Sequence, residues 1–258
     1  IKATVAEAQK ALKREGIESE RMKYAPDGLR LSKRLSVVAG PAFQEGLVEI
    51  QDEGSQVAAA LVDARPGQQV MDYCAGAGGK TLAIAARMNN KGRVVAMDVL
   101  ENRLDRSAQR LRRAGVHNVE RRGIEENAKW LKRQKGNFDR VLVDAPCTGT
   151  GTWRRNPDGR WTLKRKDLEE LVPKQAAILD AASKLVKPGG RLFYATCSVL
   201  PAENERQIEA FLASHPEFEV VPVAEALPAL SSACCRRRPC SPSWALIWSC
   251  GVASASGA

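Results

Sequence analysis

The chain has 258 residues, with 40 Lys or Arg against 30 Asp or Glu and a formal net charge of +10. Hydrophobic residues make up 44% and aromatics 5%, which excludes disordered, collagen-like and disulfide-scaffold chains and leaves enough apolar material for one large domain. No run approaches the ~18 apolar residues of a membrane span, and Ile1-Lys2-Ala3 starts neither a signal peptide nor, lacking Met, a complete chain, so it reads as a fragment. The positive excess suits a polyanionic partner and plain solubility equally well. Seven cysteines, an odd number without a CxxC pair, argue against a disulfide framework or a zinc site. A reducing, cytoplasmic compartment and no metal are the expectation.

In chain order, residues 3–16 pattern as a short amphipathic helix (Val5, Ala8, Leu12) closed by Gly16. Residues 28–40 are basic and mixed. The stretch 46–56 reads as a strand followed by a cap at Ser55, opening a helix to Asp63. Pro66-Gly67 is a turn. From there the pattern becomes regular: strand 69–73, a glycine-rich turn at 76–79, helix 80–88, strand 93–98 and helix 101–114 with Gly115 as its stop. A short strand at 116–120 and a β-branched strand at 138–144 follow, then a long polar loop over 147–171. The spacing next predicts helix 173–186 with Pro173 in its first turn, a Pro-Gly-Gly turn at 188–190, strand 191–196, helix 202–214 and strand 218–223. Alternating strands and helices predict a parallel, doubly wound α/β sheet, whose ligands lie at the carboxyl ends of the strands. From about Ser231 the pattern loses periodicity and becomes biased to Cys, Arg, Ser and Ala, like an out-of-frame or low-complexity tail.

The glycine-rich turn Asp72-Tyr-Cys-Ala-Gly-Ala-Gly-Gly-Lys-Thr81 follows a strand and opens a helix. A phosphate-binding Walker loop fails on spacing, since Cys74 stands where its first glycine is needed. A dinucleotide fingerprint fits weakly: Gly76 and Gly78 match, but Thr81 takes the third glycine position. S-adenosylmethionine fits better, because glycines admit the methionine moiety to the backbone and Asp98, ending the next strand, suits the ribose hydroxyls. A plain strand–helix turn is the remaining alternative.

Two further cysteines end strands: Cys147 in Asp144-Ala-Pro-Cys-Thr-Gly-Thr-Gly151 and Cys197 in Ala195-Thr-Cys-Ser198. Either alone reads most simply as a small buried hydrophobe. Together, beside a cofactor-type turn, they suit methylation of cytosine at carbon 5. That carbon is not nucleophilic until a thiolate adds to carbon 6, after which it can attack a sulfonium methyl. A carboxyl group must hydrogen-bond the N3 edge as charge builds, and the thiol must then leave. Cys147, Cys197 and Asp144 supply these groups.

The motifs CAGAGGKT, DAPCTGTG and TCS, with GLVEIQDEGSQ upstream, resemble the Sun/Fmu-type (NOP2-related) RNA cytosine-C5 methyltransferases over roughly residues 25–223, including the bacterial enzymes that act on 16S rRNA. The resemblance implies a Rossmann-like class I methyltransferase domain over 41–228, preceded by the remnant of an α+β RNA-binding domain over 1–40 and followed by an aberrant or disordered tail over 229–258. It implies Cys197 as the nucleophile and Cys147 as the group that helps release product, with Lys80 and Asp144 near the base. It implies S-adenosylmethionine held by Cys74, Ala75, Gly76, Ala77, Gly78, Gly79, Lys80, Asp98, Arg103, Glu125 and Asp144. The chain departs from the family in its looser glycine turn, in carrying Gly-Ile-Glu-Glu126 where an Asp is usual, and in lacking the closing hairpin motif after Val223, so the last strand is expected to be missing.

Between Arg103 and Lys135 there are 11 Lys or Arg and four acids, part of which is a solvated helix face. The loop after Cys147 is more specific: Trp153, Arg154, Arg155, Arg160 and Trp161 interleave cations for phosphate with rings for an unpaired base, and Trp153, Arg154, Arg155 and Arg160 are the expected RNA contacts. The target cytosine must be unstacked to reach Cys197. The expected protein is a monomeric RNA cytosine-C5 methyltransferase acting on 16S rRNA. A tRNA methyltransferase, a catalytically impaired RNA-binding assembly factor of the same fold and a small-molecule methyltransferase stand as alternatives.

Overall fold

The computed structural model describes residues 1–33 and 35–222, and the backbone of 251–255. In chain order the helices are α1 (Val5–Arg14), α2 (Pro41–Gln44), α3 (Glu53–Leu61), α4 (Gly79–Arg87), α5 (Glu101–Ala114), α6 (Ala128–Arg133), α7 (Gly159–Thr162), α8 (Arg165–Ser183) and α9 (Glu205–Ser214). The strands are β1 (Ser19–Arg21), β2 (Leu29–Leu31), β3 (Gln69–Asp72), β4 (Arg93–Asp98), β5 (Val119–Gly123), β6 (Phe138–Asp144), β7 (Val186–Ala195), β8 (Phe218–Val220) and β9 (Gly251–Ala255). The chain divides into two compact units, one of residues 1–68 and 75–126, the other of 69–74 and 127–258.

In the first unit, Thr4 caps α1 by accepting from the Glu7 N–H while the Glu7 carboxylate accepts from the Thr4 N–H at 2.7 Å, satisfying two helix-end donors at once. β1 and β2 form an antiparallel hairpin that the sequence pattern did not show. Leu12, Ile17, Val37 and Ala42 make a small core, joined by Leu29, Leu31 and Val48. β4 and β5 pair in parallel from Val94↔Val119 to Asp98↔Gly123. Four consecutive residues of β4, Val94 to Met97, are fully buried, the mark of a strand covered on both faces.

Three sequence expectations change in this unit. No strand forms at 46–50. Gly46, with φ +76°, lies where a Cβ would meet the Arg113 carbonyl oxygen at 2.0 Å, and Glu49 is held by Arg110 and Arg113, so close packing and ion pairs fix this segment instead of a ladder. Helix α3 is capped by Asp52, whose carboxylate accepts from the Gly54 N–H at 3.1 Å, and not by Ser55. The strand expected at 116–120 begins at Val119, because the Val116 N–H is taken by the Leu111 carbonyl at 2.9 Å in the left-handed turn at Gly115 that ends α5.

In the second unit the strand order is β3-β6-β7-β9-β8. β3, β6 and β7 run parallel, and β9 pairs antiparallel with both β7 and β8. Its core includes Val70, Met71, Phe138, Val141, Leu179, Leu192 and Phe193. The helix expected to start at Pro173 starts at Arg165, where the Lys164 N–H donates to the Asp167 carboxylate at 2.8 Å, and Pro173 lies inside it. Ion pairs of Arg165 with Glu169 and Lys166 with Glu170 brace the two exposed turns before the proline. Pro188-Gly189-Gly190 is a bulge within β7, and pairing with β6 resumes at Arg140↔Arg191. β9 lies within 229–258, where the sequence shows no strand; the rest of that segment, and Val223, fall outside the described residues. No described helix is long and apolar enough to cross a membrane.

Candidate active site

β6 and β7 end in register, Asp144 opposite Ala195. The Ala145 N–H donates to the Ala195 carbonyl at 2.8 Å, so the two chains leave the sheet side by side. Three residues past Asp144 comes Cys147; two past Ala195 comes Cys197. Their Sγ atoms are 3.3 Å apart, a thiol–thiol hydrogen bond and well beyond the ~2.05 Å of a disulfide. The Cys197 N–H also donates to the Cys147 Sγ, at 3.3 Å. The hydrogen bond with Cys197 pushes the Cys147 thiol far above the ordinary thiol range, and burial pushes it the same way. Cys147 therefore keeps its proton, and Cys197 lies within hydrogen-bond reach of it.

The small residues after Cys147 make this approach possible. Gly149, with φ +68°, opens a 3-10 turn at Thr150–Thr152. The Gly151 N–H donates to the Cys197 carbonyl at 2.9 Å, and a Cβ at Gly151 would meet that oxygen at 2.8 Å. Beyond this turn the chain runs exposed through Trp153, Arg154, Arg155 and Arg160 to Trp161, which is 80% exposed with the Arg160 guanidinium 5.0 Å from its ring centre. All four residues expected to contact RNA, and Trp161, are exposed in this one segment.

In the first unit, the glycine turn is tied to the end of β4. The Gly76 N–H donates to Asp98 Oδ2 at 2.8 Å, and the Leu100 N–H to Oδ1 at 2.9 Å. Asp98 is 4% exposed, with Arg103 3.8 Å from its carboxylate. Gly76 has φ +54°, and a Cβ there would lie 2.8 Å from the Arg103 guanidinium. Gly78, in the left-handed region at φ +77°, caps α4; a Cβ would come within 2.6 Å of the Ser107 Cβ. Ala75 is held by its N–H to the Met97 carbonyl at 2.8 Å, and the Ala77 carbonyl accepts from Arg110 at 2.8 Å. The result is a cradle lined by backbone, facing a buried carboxylate, with the N-terminus of α4 following it in the chain. These are the features a nucleoside ribose and an amino-acid carboxylate require, so the residues fit S-adenosylmethionine. Gly79 opens α4 and Lys80 lies in its first turn, whereas Cys74 belongs to the second unit. Glu125 stands exposed in the turn after β5, and Asp144 closes β6.

Sequence reading missed two groups. Arg110, one helical face along α5 from Arg103, clamps the glycine turn; its i, i+7 spacing was the available signal. A network of polar side chains, the half-buried Thr148 and the buried Thr150, Gln175, Ser198, Glu203 and Asn204, joins the residues next to the two cysteines. Nothing in the sequence pattern marks these as buried. Among the described residues no group of His, Cys, Asp and Glu is arranged to hold a metal.

Fold and site together define a class I methyltransferase domain with a paired-cysteine centre. Comparison with known proteins agrees with the methyltransferase fold. Residues 59–234, more than half of the chain, match the family model described as 16S rRNA methyltransferase RsmB/F. The chain is 43% identical over 193 residues to ribosomal RNA small subunit methyltransferase B of Salmonella typhi, covering 74% of this chain and 44% of that protein. Among solved structures, PH0851 superposes with a TM-score of 0.82 at 34% identity, over 98% of this chain and 56% of that one. NSun6 from Pyrococcus horikoshii, solved with SFG, superposes with a TM-score of 0.69 at 26% identity, over 90% of this chain and 59% of that one. The chain belongs to the RsmB/F methyltransferase family. It spans less than half the length of the curated relatives it matches.

Proposed function

We propose that this chain carries the catalytic machinery of an S-adenosylmethionine-dependent methyltransferase that modifies carbon 5 of a cytosine in small-subunit ribosomal RNA, in the cytoplasm. The observation that carries the reading is the pair of thiols 3.3 Å apart where two adjacent parallel strands end in register. A nucleophile and a proton donor must lie within reach of the same reacting atom, whereas two inert core cysteines need not meet at all. The named relative and the family description support the rRNA substrate, and the cofactor is supported by the neighbour solved with SFG, an S-adenosylmethionine analogue.

In this reading the Cys197 thiolate adds to carbon 6 of an unstacked cytosine, forming a C–S bond and pushing the electron pair toward carbon 5. Asp144 holds the N3 edge as charge builds there, and Lys80 approaches the base. The cofactor, when bound, supplies an electrophilic methyl group, and Gly76, Gly78 and Asp98 hold it. After carbon 5 has taken the methyl, water removes the carbon-5 proton, the ring double bond re-forms and the C–S bond breaks. Cys147 assists that last step by donating its S–H to the departing sulfur. The arm from Trp153 to Trp161 offers three guanidinium groups for phosphate and two rings for stacking.

The test is transfer of labelled methyl from S-adenosylmethionine to fragments of 16S rRNA, with tRNA and free cytidine as rival acceptors. Wild type is expected to label rRNA. Cys197→Ala should reduce transfer by several orders of magnitude, as loss of a nucleophile does. Cys147→Ala should accumulate a denaturation-resistant protein–RNA adduct through Cys197. Folded wild type that labels none of the RNAs would sink the proposal, and normal turnover by Cys147→Ala without an adduct would remove its release role.

A further inference from the structure

Glu203 has no solvent exposure, yet it sits six residues past Cys197 in the 3-10 turn Pro201–Glu203. A buried carboxyl group is costly unless its oxygens are fully engaged. Oε1 accepts from the Thr148 N–H at 2.9 Å and from the Gln175 side-chain amide at 2.9 Å. Oε2 accepts from the Thr148 hydroxyl at 2.5 Å. The same Gln175 amide donates to the Pro146 carbonyl at 2.9 Å. Thus both residues flanking Cys147 are gripped from Glu203, one directly and the other through Gln175.

The carboxylate is itself anchored to the Cys197 side. The Tyr194 hydroxyl donates to the Glu203 carbonyl at 2.8 Å, and the Glu203 N–H donates to the Leu200 carbonyl at 3.0 Å. Ser198, next to Cys197, meets the Thr148 hydroxyl at 3.3 Å and the Thr150 hydroxyl at 3.0 Å. Asn204 accepts from the Thr196 hydroxyl at 2.6 Å and donates to the Ser198 and Leu200 carbonyls. One buried residue from the Cys197 segment therefore spans the gap to the Cys147 segment.

We propose that Glu203 is a positioning residue that sets the approach of Cys147 to Cys197 by clasping the two cysteine loops together. The proposal rests on the reading of this pair as the catalytic centre, and it goes beyond that reading in giving the pair its support. Its oxygens meet Thr148 of the loop that presents Cys147, and Gln175 of α8.

Three variants test it: Glu203→Ala, Glu203→Gln and Thr148→Val. The first readout is independent of activity. The alkylation rate of Cys197 by iodoacetamide is followed across pH, with mass spectrometry of the Cys197 peptide to separate it from the other cysteines. Loosening the clasp lengthens the 3.3 Å S···S contact, so a thiolate formed at Cys197 loses a hydrogen-bond partner and Glu203→Ala should move the alkylation profile to higher pH. Single-turnover methyl transfer should fall by about 100-fold, the scale of a misplacement near 1 Å, while cofactor affinity stays within about two-fold. Glu203→Gln should restore most of both. Its amide oxygen can accept the two N–H donors, and the Thr148 hydroxyl can turn to accept from its amide nitrogen. Thr148→Val, which keeps shape and loses one donor, should give a smaller shift in the same direction; it decides the matter if Glu203→Ala does not fold. An unchanged alkylation profile in the folded variants overturns the proposal. Failure of wild type to methylate any RNA would instead overturn the function, and the alkylation profiles would still report on Glu203.

Discussion

At the end of β4, a side chain grips backbone: the Asp98 carboxylate holds the Gly76 and Leu100 N–H groups, and the turn it shapes has no side chains to offer. At the ends of β6 and β7, side chains grip one another across two loops, through Glu203, Gln175, Thr148 and Ser198. Each arrangement lies within one compact unit. The first makes a surface for a ligand by keeping Cβ atoms out; the second makes a reactive pair by filling the space around two sulfurs with satisfied polar groups. The first is therefore broken by adding atoms and the second by removing them, or by displacing a single carbonyl.

Adding atoms at the first site gives the largest expected effect. Gly76→Val places a branched side chain at φ +54° and drives its Cβ into the Arg103 guanidinium. Left-handed strain of ~1–3 kcal/mol and a filled cradle should weaken S-adenosylmethionine binding by about 100-fold, measured by calorimetry. The Cys197 alkylation profile should not move. If it does, the two sites are not independently built and the comparison breaks.

Gly151→Ala makes the reciprocal cut, with a smaller effect. Its added Cβ would meet the Cys197 carbonyl at 2.8 Å, so the loop carrying the nucleophile must shift by a few tenths of an ångström. Methyl transfer in single turnover is expected to fall by about 10-fold, less than for a full 1 Å misplacement, while cofactor affinity is unchanged. Lowered cofactor affinity with an unchanged rate would assign Gly151 to the wrong site.

The same contrast explains what was legible in the sequence. A glycine turn advertises itself, because Gly76 and Gly78 adopt conformations that other residues avoid, and Asp98 falls at a strand end by periodicity alone. The strands β4 and β6 were read residue for residue, since fully buried parallel strands leave continuous apolar runs. The cysteines stand out because each ends such a strand, yet their 3.3 Å separation depends on the Asp144↔Ala195 register, which joins residues 51 apart in the chain. Glu203 and Gln175 were invisible. As single letters they look like solvated helix residues, and only the tertiary structure puts them in the dark. The helix start at Arg165 was hidden by Pro173, a residue that ordinarily opens helices and here sits within one.

The smallest expected effect lies in the first unit and shows how an exposed ion pair differs from the buried clasp. Arg93, at the start of β4, makes a two-pronged contact with Glu120 on β5, at 2.7 and 2.9 Å, and Arg122 adds a third at 3.1 Å. The Arg93 hydrogen bonds hold the Glu120 carboxyl below the usual carboxylate range. Its folded pKa is thus below its unfolded value of ~4.3, so the stabilisation is present above that pH and is lost as pH falls through the folded value. Because the Glu120 side chain is 41% exposed, Glu120→Gln should cost less than about 1 kcal/mol at pH 7. Denaturant titrations of both proteins at pH 7 and again near pH 3 should show the gap closing, and salt should narrow it at pH 7. The Glu203 variants should show no such salt dependence, since screening acts little on buried groups. A Glu120→Gln gap that holds constant in acid and in salt would mean that packing, not charge, joins these two strands at their start.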